Sequence, residues 1–126
     1  NLNQIIAMQK KKTGKLFSFC LYSVGVLAKK NNREKKFLSI LGEEIGLLFQ
    51  LADDFLDIKG SRKLVGKPIK KDSKKGKSTL INLMGYEKAT NYAINLKKKI
   101  LLKLKKHGKK AKDLTDTIDF ILGRNF

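Results

Sequence analysis

Apolar residues recur at intervals of three and four through most of the chain, the spacing of helices with one buried face. No segment shows the strict alternation typical of a half-buried strand, and Pro68 is the only proline. The spacing predicts helices over residues 2–9, 12–29, 33–59, 77–84, 86–107 and 111–122. The pattern therefore predicts an all-α fold in one domain.

The longest predicted helix, at 33–59, has clear end signals. Asn31 and Asn32 supply a cap, Glu34 places an acid in the first turn, and Gly60 is the predicted stop. Its predicted core face is one broad side of the helical wheel, made of Phe37, Ile40, Leu47, Leu48, Leu51, Phe55 and Ile58.

A second side of this helix carries an acidic stripe, although the chain has 29 Lys and Arg against 11 Asp and Glu, a net charge of +18. Asp53 and Asp57 are four residues apart, about 6 Å between Cβ atoms, so both can coordinate Mg²⁺ and join it to a diphosphate. Gly42 and Gly46 lie on the same stripe. They predict either open space above the helix or close packing of a neighbouring helix, and the sequence favours neither.

Residues 59–77 hold nine basic residues, three glycines and the proline against one acid, and this composition predicts a loop. Such a loop is commonly a solvated connector. Because it directly follows the helix end that carries Asp53, Asp54 and Asp57, it can also help to hold a polyanion through metal ions.

Composition limits the other functional classes. A charge of +18 suggests nucleic acid, but only three basic residues are arginine and the aromatics do not alternate with basic runs, so nucleic-acid binding is disfavoured. The sequence has no run of about twenty apolar residues, so no membrane span is predicted. Residues 86–107 form a basic amphipathic helix, which can lie on a membrane but is more often the outer helix of a bundle. Its predicted apolar side carries Tyr92, Leu96, Ile100 and Leu104.

The lone Cys20, among apolar neighbours, is predicted to be a small buried residue, and its presence fits a reducing, cytoplasmic setting. The chain begins at Asn1 with no capping signal before the first predicted helix. We therefore expect the sequence to begin inside a structural element of a longer protein.

An ordered set of motifs resembles the C-terminal part of the trans-polyprenyl diphosphate synthases, the farnesyl and geranylgeranyl diphosphate synthase family. The second aspartate-rich motif of that family is similar to GLLFQLADDFLD at 46–57. The other similar segments are Lys12-Thr13-Gly14, Gly66-Lys67, Asp72 with Gly76-Lys77-Ser78-Thr79, and DFILGRN at 119–125. The resemblance runs from end to end, in the order and spacing of the family.

The resemblance implies a helical bundle of the isoprenoid synthase type, with residues 1–126 as the C-terminal part of a single polyprenyl synthase domain. It implies prenyl transfer from an allylic diphosphate to isopentenyl diphosphate, with release of pyrophosphate and with Mg²⁺ as cofactor. It also implies a homodimer as the complete enzyme, no nucleic-acid partner and no stable membrane insertion.

The resemblance assigns roles to individual residues. Asp53 and Asp57, supported by Asp54, would hold Mg²⁺ against the allylic diphosphate. Lys12 and Lys67 would bind that diphosphate, with Lys77 as a weaker candidate. Thr13 and Gln50 would act at the allylic carbon, and Phe49 would border the isopentenyl diphosphate.

Departures from the family pattern limit these expectations. The chain has no other DDxxD, so the first aspartate-rich motif and the arginines that follow it are missing. Leu80-Ile81 stands where the family usually has Tyr-Pro, and Lys70 replaces a usual glycine. We predict that the chain alone is inactive. The alternatives are a non-catalytic subunit or relic of the same fold and, less favoured, a basic nucleic-acid-binding helical module.

Overall fold

The computed structural model describes residues 1–65 and 79–123, and every element within those ranges is helical. The helices are α1 (Leu2–Gln9), α2 (Lys15–Leu27), α3 (Asn32–Val65), α4 (Leu80–Met84), α5 (Tyr86–Lys105) and α6 (Lys112–Gly123). A π-helical segment, Lys10–Gly14, joins α1 to α2, and a 3₁₀ turn, Gly108–Ala111, precedes α6. The predicted all-α fold is confirmed.

Helix α3 is the central element and is longer than predicted. The Asn31 side chain caps it by accepting a hydrogen bond from the Glu34 backbone N–H, at 2.9 Å, as expected. The predicted stop at Gly60 is wrong, because the helix continues to Val65. A glycine inside a helix costs about 1 kcal/mol relative to alanine, and the good helix formers Arg62, Lys63 and Leu64 follow it. The remainder of the predicted loop, 66–77, lies outside the described residues.

Helix α1 has a cap that the sequence analysis missed. The Asn1 side chain accepts a hydrogen bond from the Gln4 backbone N–H at 3.1 Å, and the Asn1 ammonium donates to the Gln4 side-chain oxygen at 2.8 Å. The two residues therefore form a reciprocal capping box. The expectation of a helix without a capping signal is wrong, because Asn1 itself is the cap.

Helix α1, the π-helical segment and α2 follow one another without a break, and we call them together the α1–α2 rod. This rod packs against α3 through small residues that we call the small-residue seam: Gly14, Ser18, Gly25, Ser39, Gly42 and Gly46. A Cβ added at Gly42 would lie 2.5 Å from the Phe17 backbone oxygen, and one at Gly46 would lie 2.7 Å from the Gly14 Cα. Both glycines therefore serve close backbone packing, which decides between the two interpretations left open by the sequence. Across the seam the hydroxyls of Ser18 and Ser39 are hydrogen-bonded at 2.8 Å.

The other sides of α3 bury the apolar core. Leu47, Leu48, Leu51 and Phe55 are fully enclosed, and Phe37 and Ile58 pack at the edge, as predicted. Helices α4, α5 and α6 contribute buried residues that include Leu80, Ile81, Ala89, Ala93, Leu96, Ile100, Leu104, Ile118, Ile121 and Leu122. The apolar side predicted for residues 86–107 is confirmed.

One predicted core residue is misplaced. Ile40 is 44% exposed, although the helical wheel places it on the predicted core face. The nearby Phe37 is partly covered, because the Lys106 ammonium lies over its ring, 4.2 Å from the ring centre. The pattern of a single helix could not show which part of its apolar face a neighbouring helix covers.

An ion cluster around a buried glutamate joins α5 to α3. Glu44 is buried, and its carboxylate accepts hydrogen bonds from Lys103 at 2.7 Å to both oxygens and lies 3.0 Å from the Lys99 ammonium. Burial opposes ionisation of Glu44, but the hydrogen bonds and charges of Lys103 and Lys99 outweigh it and lower its pKa below the usual glutamate value. The cluster fixes α5 beside α3 through a charge that stays ionised.

The side of α2 opposite the small-residue seam is apolar and exposed. This outer face of α2 comprises Leu16, Phe19, Cys20, Val26 and Leu27. The prediction that Cys20 is buried is therefore wrong: α2 has apolar residues on two sides, and only the side toward α3 is covered by the described residues. Within those residues no helix combines the length and apolar character needed to cross a membrane.

The seam predicts opposite effects for two glycine-to-alanine substitutions in α3. Gly46→Ala should lower the free energy of unfolding by about 1–3 kcal/mol, because its methyl group meets backbone that cannot move aside. Gly60→Ala is the matched control: no atom lies within 4 Å of the added Cβ, so it should raise stability by about 0.5–1 kcal/mol. Urea denaturation measures both. Equal effects at the two positions would contradict the seam.

The ion cluster predicts a pH-dependent effect at Glu44. Its lowered folded-state pKa means that its stabilisation is present above the ordinary glutamate pKa and is lost as pH falls through the lowered value. Glu44→Gln should therefore destabilise the chain by about 1–3 kcal/mol at pH 7, and the deficit should shrink toward pH 3.

Glu34→Gln is the control, because Glu34 is an exposed member of an i,i+4 pair with Lys30 and should change stability little at either pH. Urea denaturation of the three chains at pH 7 and pH 3 gives the comparison. A Glu44→Gln deficit of the same size at both pH values would show that the buried charge is not its source.

Candidate active site

Two polar pairs from separate helices meet beside the small-residue seam. Gln9 and Thr13 lie four residues apart on the α1–α2 rod, and Gln50 and Asp54 lie four residues apart on α3. The Thr13 hydroxyl donates to the Gln50 side-chain oxygen at 3.0 Å, and the Gln50 amide donates to Asp54 Oδ1 at 3.0 Å. The Gln9 amide donates to Asp54 Oδ2 at 3.3 Å. The four side chains form one hydrogen-bonded chain between the two helices.

The backbone around this hydrogen-bonded chain departs from a regular α-helix at Thr13. Thr13 belongs to the π-helical segment Lys10–Gly14, a wider turn that occurs mostly as single insertions in α-helices and is frequent at functional sites. Gly14, at the end of that segment, touches α3 at Gly46, one helical turn before Gln50. The close contact therefore brings Thr13 within hydrogen-bonding distance of Gln50.

Asp54 is the most buried carboxylate of the acidic stripe, with 8% of its surface exposed. Burial raises the pKa of Asp54 above the usual aspartate value. The hydrogen bonds from Gln50 and Gln9 oppose this shift, and the charges of Asp57 and Asp53 add to it. Asp54 therefore differs from Glu44, because amides rather than cations surround its carboxylate.

Asp53 is half-buried and Asp57 is exposed, one helical turn apart. Within residues 1–65 and 79–123, no three Asp, Glu, His or Cys side chains gather into a complete metal cage. Two carboxylates with few other protein ligands suit Mg²⁺, which keeps several waters and takes its remaining ligands from phosphate oxygens. Asp53 and Asp57 are therefore the residues of α3 that could hold such an ion together with a diphosphate.

The structure places some of the other predicted site residues. Lys12 is exposed and adjoins Thr13 in the π-helical segment. Phe49 is half-buried, with its ring centre 5.6 Å from that of Phe17. Lys67 and Lys77 lie outside the described residues, so their predicted roles remain predictions, as do those of the aspartates, Thr13 and Gln50.

Sequence reasoning missed Gln9. Its partner Asp54 is 45 residues away, and a single glutamine within LNQIIAMQ carries no motif. A signal was present in the matched spacing: Gln9 and Thr13 are separated by four residues, as are Gln50 and Asp54. Equal spacing on two antiparallel helices allows two hydrogen bonds at once.

These features define an all-helical protein with a carboxylate-rich site on its central helix, and comparison with known proteins identifies its family. The polyprenyl synthetase family model matches residues 1–118, and the chain belongs to that family. It is 36% identical over 86 residues to a farnesyl diphosphate synthase of Micrococcus luteus, covering 68% of this chain and 30% of the relative. It is 38% identical over 87 residues to a geranylgeranyl diphosphate synthase of Saccharolobus solfataricus, covering 69% of this chain and 26% of the relative.

Solved structures agree with this assignment. An FPP/GFPP synthase from Zymomonas mobilis superposes with a TM-score of 0.78 at 31% identity, covering 96% of this chain and 38% of that one. A geranyltransferase from Helicobacter pylori gives a TM-score of 0.69 at 31% identity, covering 100% of this chain and 40% of that one. The chain thus spans less than half the length of these relatives.

The electrostatics of Asp54 predict that Asp54→Asn stabilises the chain at pH 7. A raised folded-state pKa means that the ionised carboxylate costs stability, and this cost grows as pH rises through the aspartate titration. Asparagine has the same shape as aspartate. If the Gln9 amide turns over, the Gln9 oxygen can accept a hydrogen bond from the side-chain N–H of the asparagine.

Urea denaturation at pH 7 and pH 3 tests this, with a gain in unfolding free energy expected only at pH 7. Asp57→Asn is the control, with a smaller change expected because Asp57 is exposed. A loss of stability for Asp54→Asn at pH 7 would contradict the account of the buried carboxylate.

Proposed function

We propose that this chain supplies the second aspartate-rich half of a prenyl diphosphate synthase active site. The reaction is transfer of the prenyl group of an allylic diphosphate to isopentenyl diphosphate, with pyrophosphate as the leaving group. The observation that carries the proposal is the Thr13–Gln50–Asp54 hydrogen-bonded chain beside the Asp53 and Asp57 pair, in a member of the polyprenyl synthetase family.

Diphosphate binding falls to the acidic stripe and the lysines. Asp53 and Asp57 would hold Mg²⁺ against the allylic diphosphate, with Asp54 behind them. When bound, Mg²⁺ supplies positive charge that makes pyrophosphate a better leaving group. Lys12, Lys67 and Lys77 would neutralise phosphate oxygens, which an ammonium does as a compact point charge.

Thr13 and Gln50 would stabilise the charge that develops on the allylic carbon. As its C–O bond breaks, the electron pair leaves with pyrophosphate and the carbon becomes positive. The Thr13 hydroxyl hydrogen points to Gln50, so its oxygen lone pairs are the part that it can present to a cation. Gln50 is in turn oriented by the Asp54 carboxylate. Such fixed dipoles stabilise a developing charge without having to reorganise.

The remaining steps require parts that the chain lacks. The double bond of isopentenyl diphosphate forms the new C–C bond, and a proton is then lost from the resulting cation; Phe49 would border this second substrate. The other metal ligands of the family come from its first aspartate-rich motif, which has no counterpart among the aspartates of this sequence. The exposed outer face of α2 also needs cover. We propose that further polypeptide supplies both, in an enzyme that acts as a cytoplasmic homodimer.

The proposal predicts that the purified chain releases no pyrophosphate from dimethylallyl plus isopentenyl diphosphate, because one set of metal ligands is missing. Activity should appear when the chain is combined with the part of a relative, such as the M. luteus synthase, that lies outside its region of similarity to this chain. In the reconstituted enzyme Asp53→Ala should lower kcat by about 10²-fold or more. A coupled pyrophosphate assay measures each rate.

Asp116→Ala is the matched control, because Asp116 is an exposed aspartate on α6 that pairs with Lys112, and it should leave the rate unchanged. Turnover by the chain alone would contradict the need for further polypeptide. A reconstituted activity that is indifferent to Asp53→Ala would instead support a non-catalytic subunit.

A further inference from the structure

Gln9 has a buried amide that the proposed mechanism does not use. Its side chain is 4% exposed, and its nitrogen donates to Asp54 Oδ2 at 3.3 Å. Its oxygen is buried and has no hydrogen-bond partner in the described structure. A buried polar atom without a partner costs free energy, which an apolar side chain of the same length would avoid. The amide therefore calls for an explanation other than the filling of space.

The explanation lies in how the Asp54 carboxylate is held. Each of its oxygens accepts a hydrogen bond from a different amide: Oδ1 from Gln50 on α3 itself, and Oδ2 from Gln9 on the α1–α2 rod. With only the Gln50 contact, the carboxylate could rotate about its own axis and release Gln50. With both contacts, it has one orientation, and the α1–α2 rod is tied to α3 at two points: Gln9, the last residue of α1, and Thr13, in the π-helical segment.

We propose that Gln9 is a positioning residue for the diphosphate site. It holds the Asp54 carboxylate so that Gln50 and Thr13 keep a fixed placement relative to Asp53 and Asp57. This inference rests on the proposed function, since the geometry that Gln9 preserves is that of the magnesium–diphosphate site. Residues that orient groups behind a metal site change metal affinity by about 10- to 100-fold when replaced.

The test is calorimetric titration of the full chain with inorganic pyrophosphate, in Mg²⁺ and in EDTA. Gln9→Met keeps the length of the side chain and removes the donor, so the Kd for pyrophosphate in Mg²⁺ should rise by about tenfold. Binding in EDTA, which depends on lysines, should not change. Asn3→Met is the matched control, an exposed amide on the same helix, and should leave both Kd values within about twofold.

An Asp54→Ala background separates positioning from packing. If Gln9 acts through Asp54, Gln9→Met should weaken pyrophosphate binding little further in that background. Gln9→Glu, which keeps the size but replaces the donor with an acceptor, is a second variant should Gln9→Met fail to fold, and it should weaken binding at least as much. Unfolding free energies measured on the same samples report any purely structural role.

Two results overturn the inference alone: a Gln9→Met chain that is less stable yet binds magnesium pyrophosphate with unchanged Kd, or the same tenfold loss with and without Asp54. A different result overturns the proposed function and the inference with it. This is a wild-type chain that is folded, as its urea transition shows, and does not bind pyrophosphate in Mg²⁺.

Discussion

The rest of the structure depends on a contact between backbones that leaves no room for a side chain. At Gly14 and Gly46 the α1–α2 rod and α3 approach so closely that a Cβ added at Gly46 would lie 2.7 Å from the Gly14 Cα. Only at such a distance can short polar side chains on the two helices reach each other. Thr13 meets Gln50, and Gln9 meets Asp54, one turn apart. The polar chain of the candidate site is thus a consequence of the small-residue seam, which stabilises the fold and aligns the site by the same contact.

Two buried carboxylates on α3 show how differently the fold treats charge. Glu44 is surrounded by lysines that keep it ionised and lower its pKa, so it ties α5 to α3. Asp54 is held by neutral amides, and burial raises its pKa. A buried charge without a cation is costly, and such groups are concentrated at functional sites.

The sequence was sufficient to predict features that depend on one helix at a time. The period of apolar residues predicted the helices and most of the core face of α3. The metal-binding role of the i,i+4 aspartates stays a prediction. Features that depend on two helices were beyond it. Whether Gly42 and Gly46 border open space or a backbone is decided by the α1–α2 rod, and the exposure of Ile40 could not be read from the wheel of α3 alone. Gln9 and Glu44 have partners 45 and 59 residues away, which no local pattern could connect.

The most direct test of the central claim, that α3 and the π-helical segment form half of a magnesium–diphosphate site, is pyrophosphate binding by the chain itself. Calorimetry should show binding in Mg²⁺ that weakens sharply in EDTA and in a chain carrying both Asp53→Asn and Asp57→Asn. The lysines alone should account for the residual affinity, which should fall with added salt. Equal affinity with and without Mg²⁺, or an affinity that survives loss of both aspartates, would contradict the account.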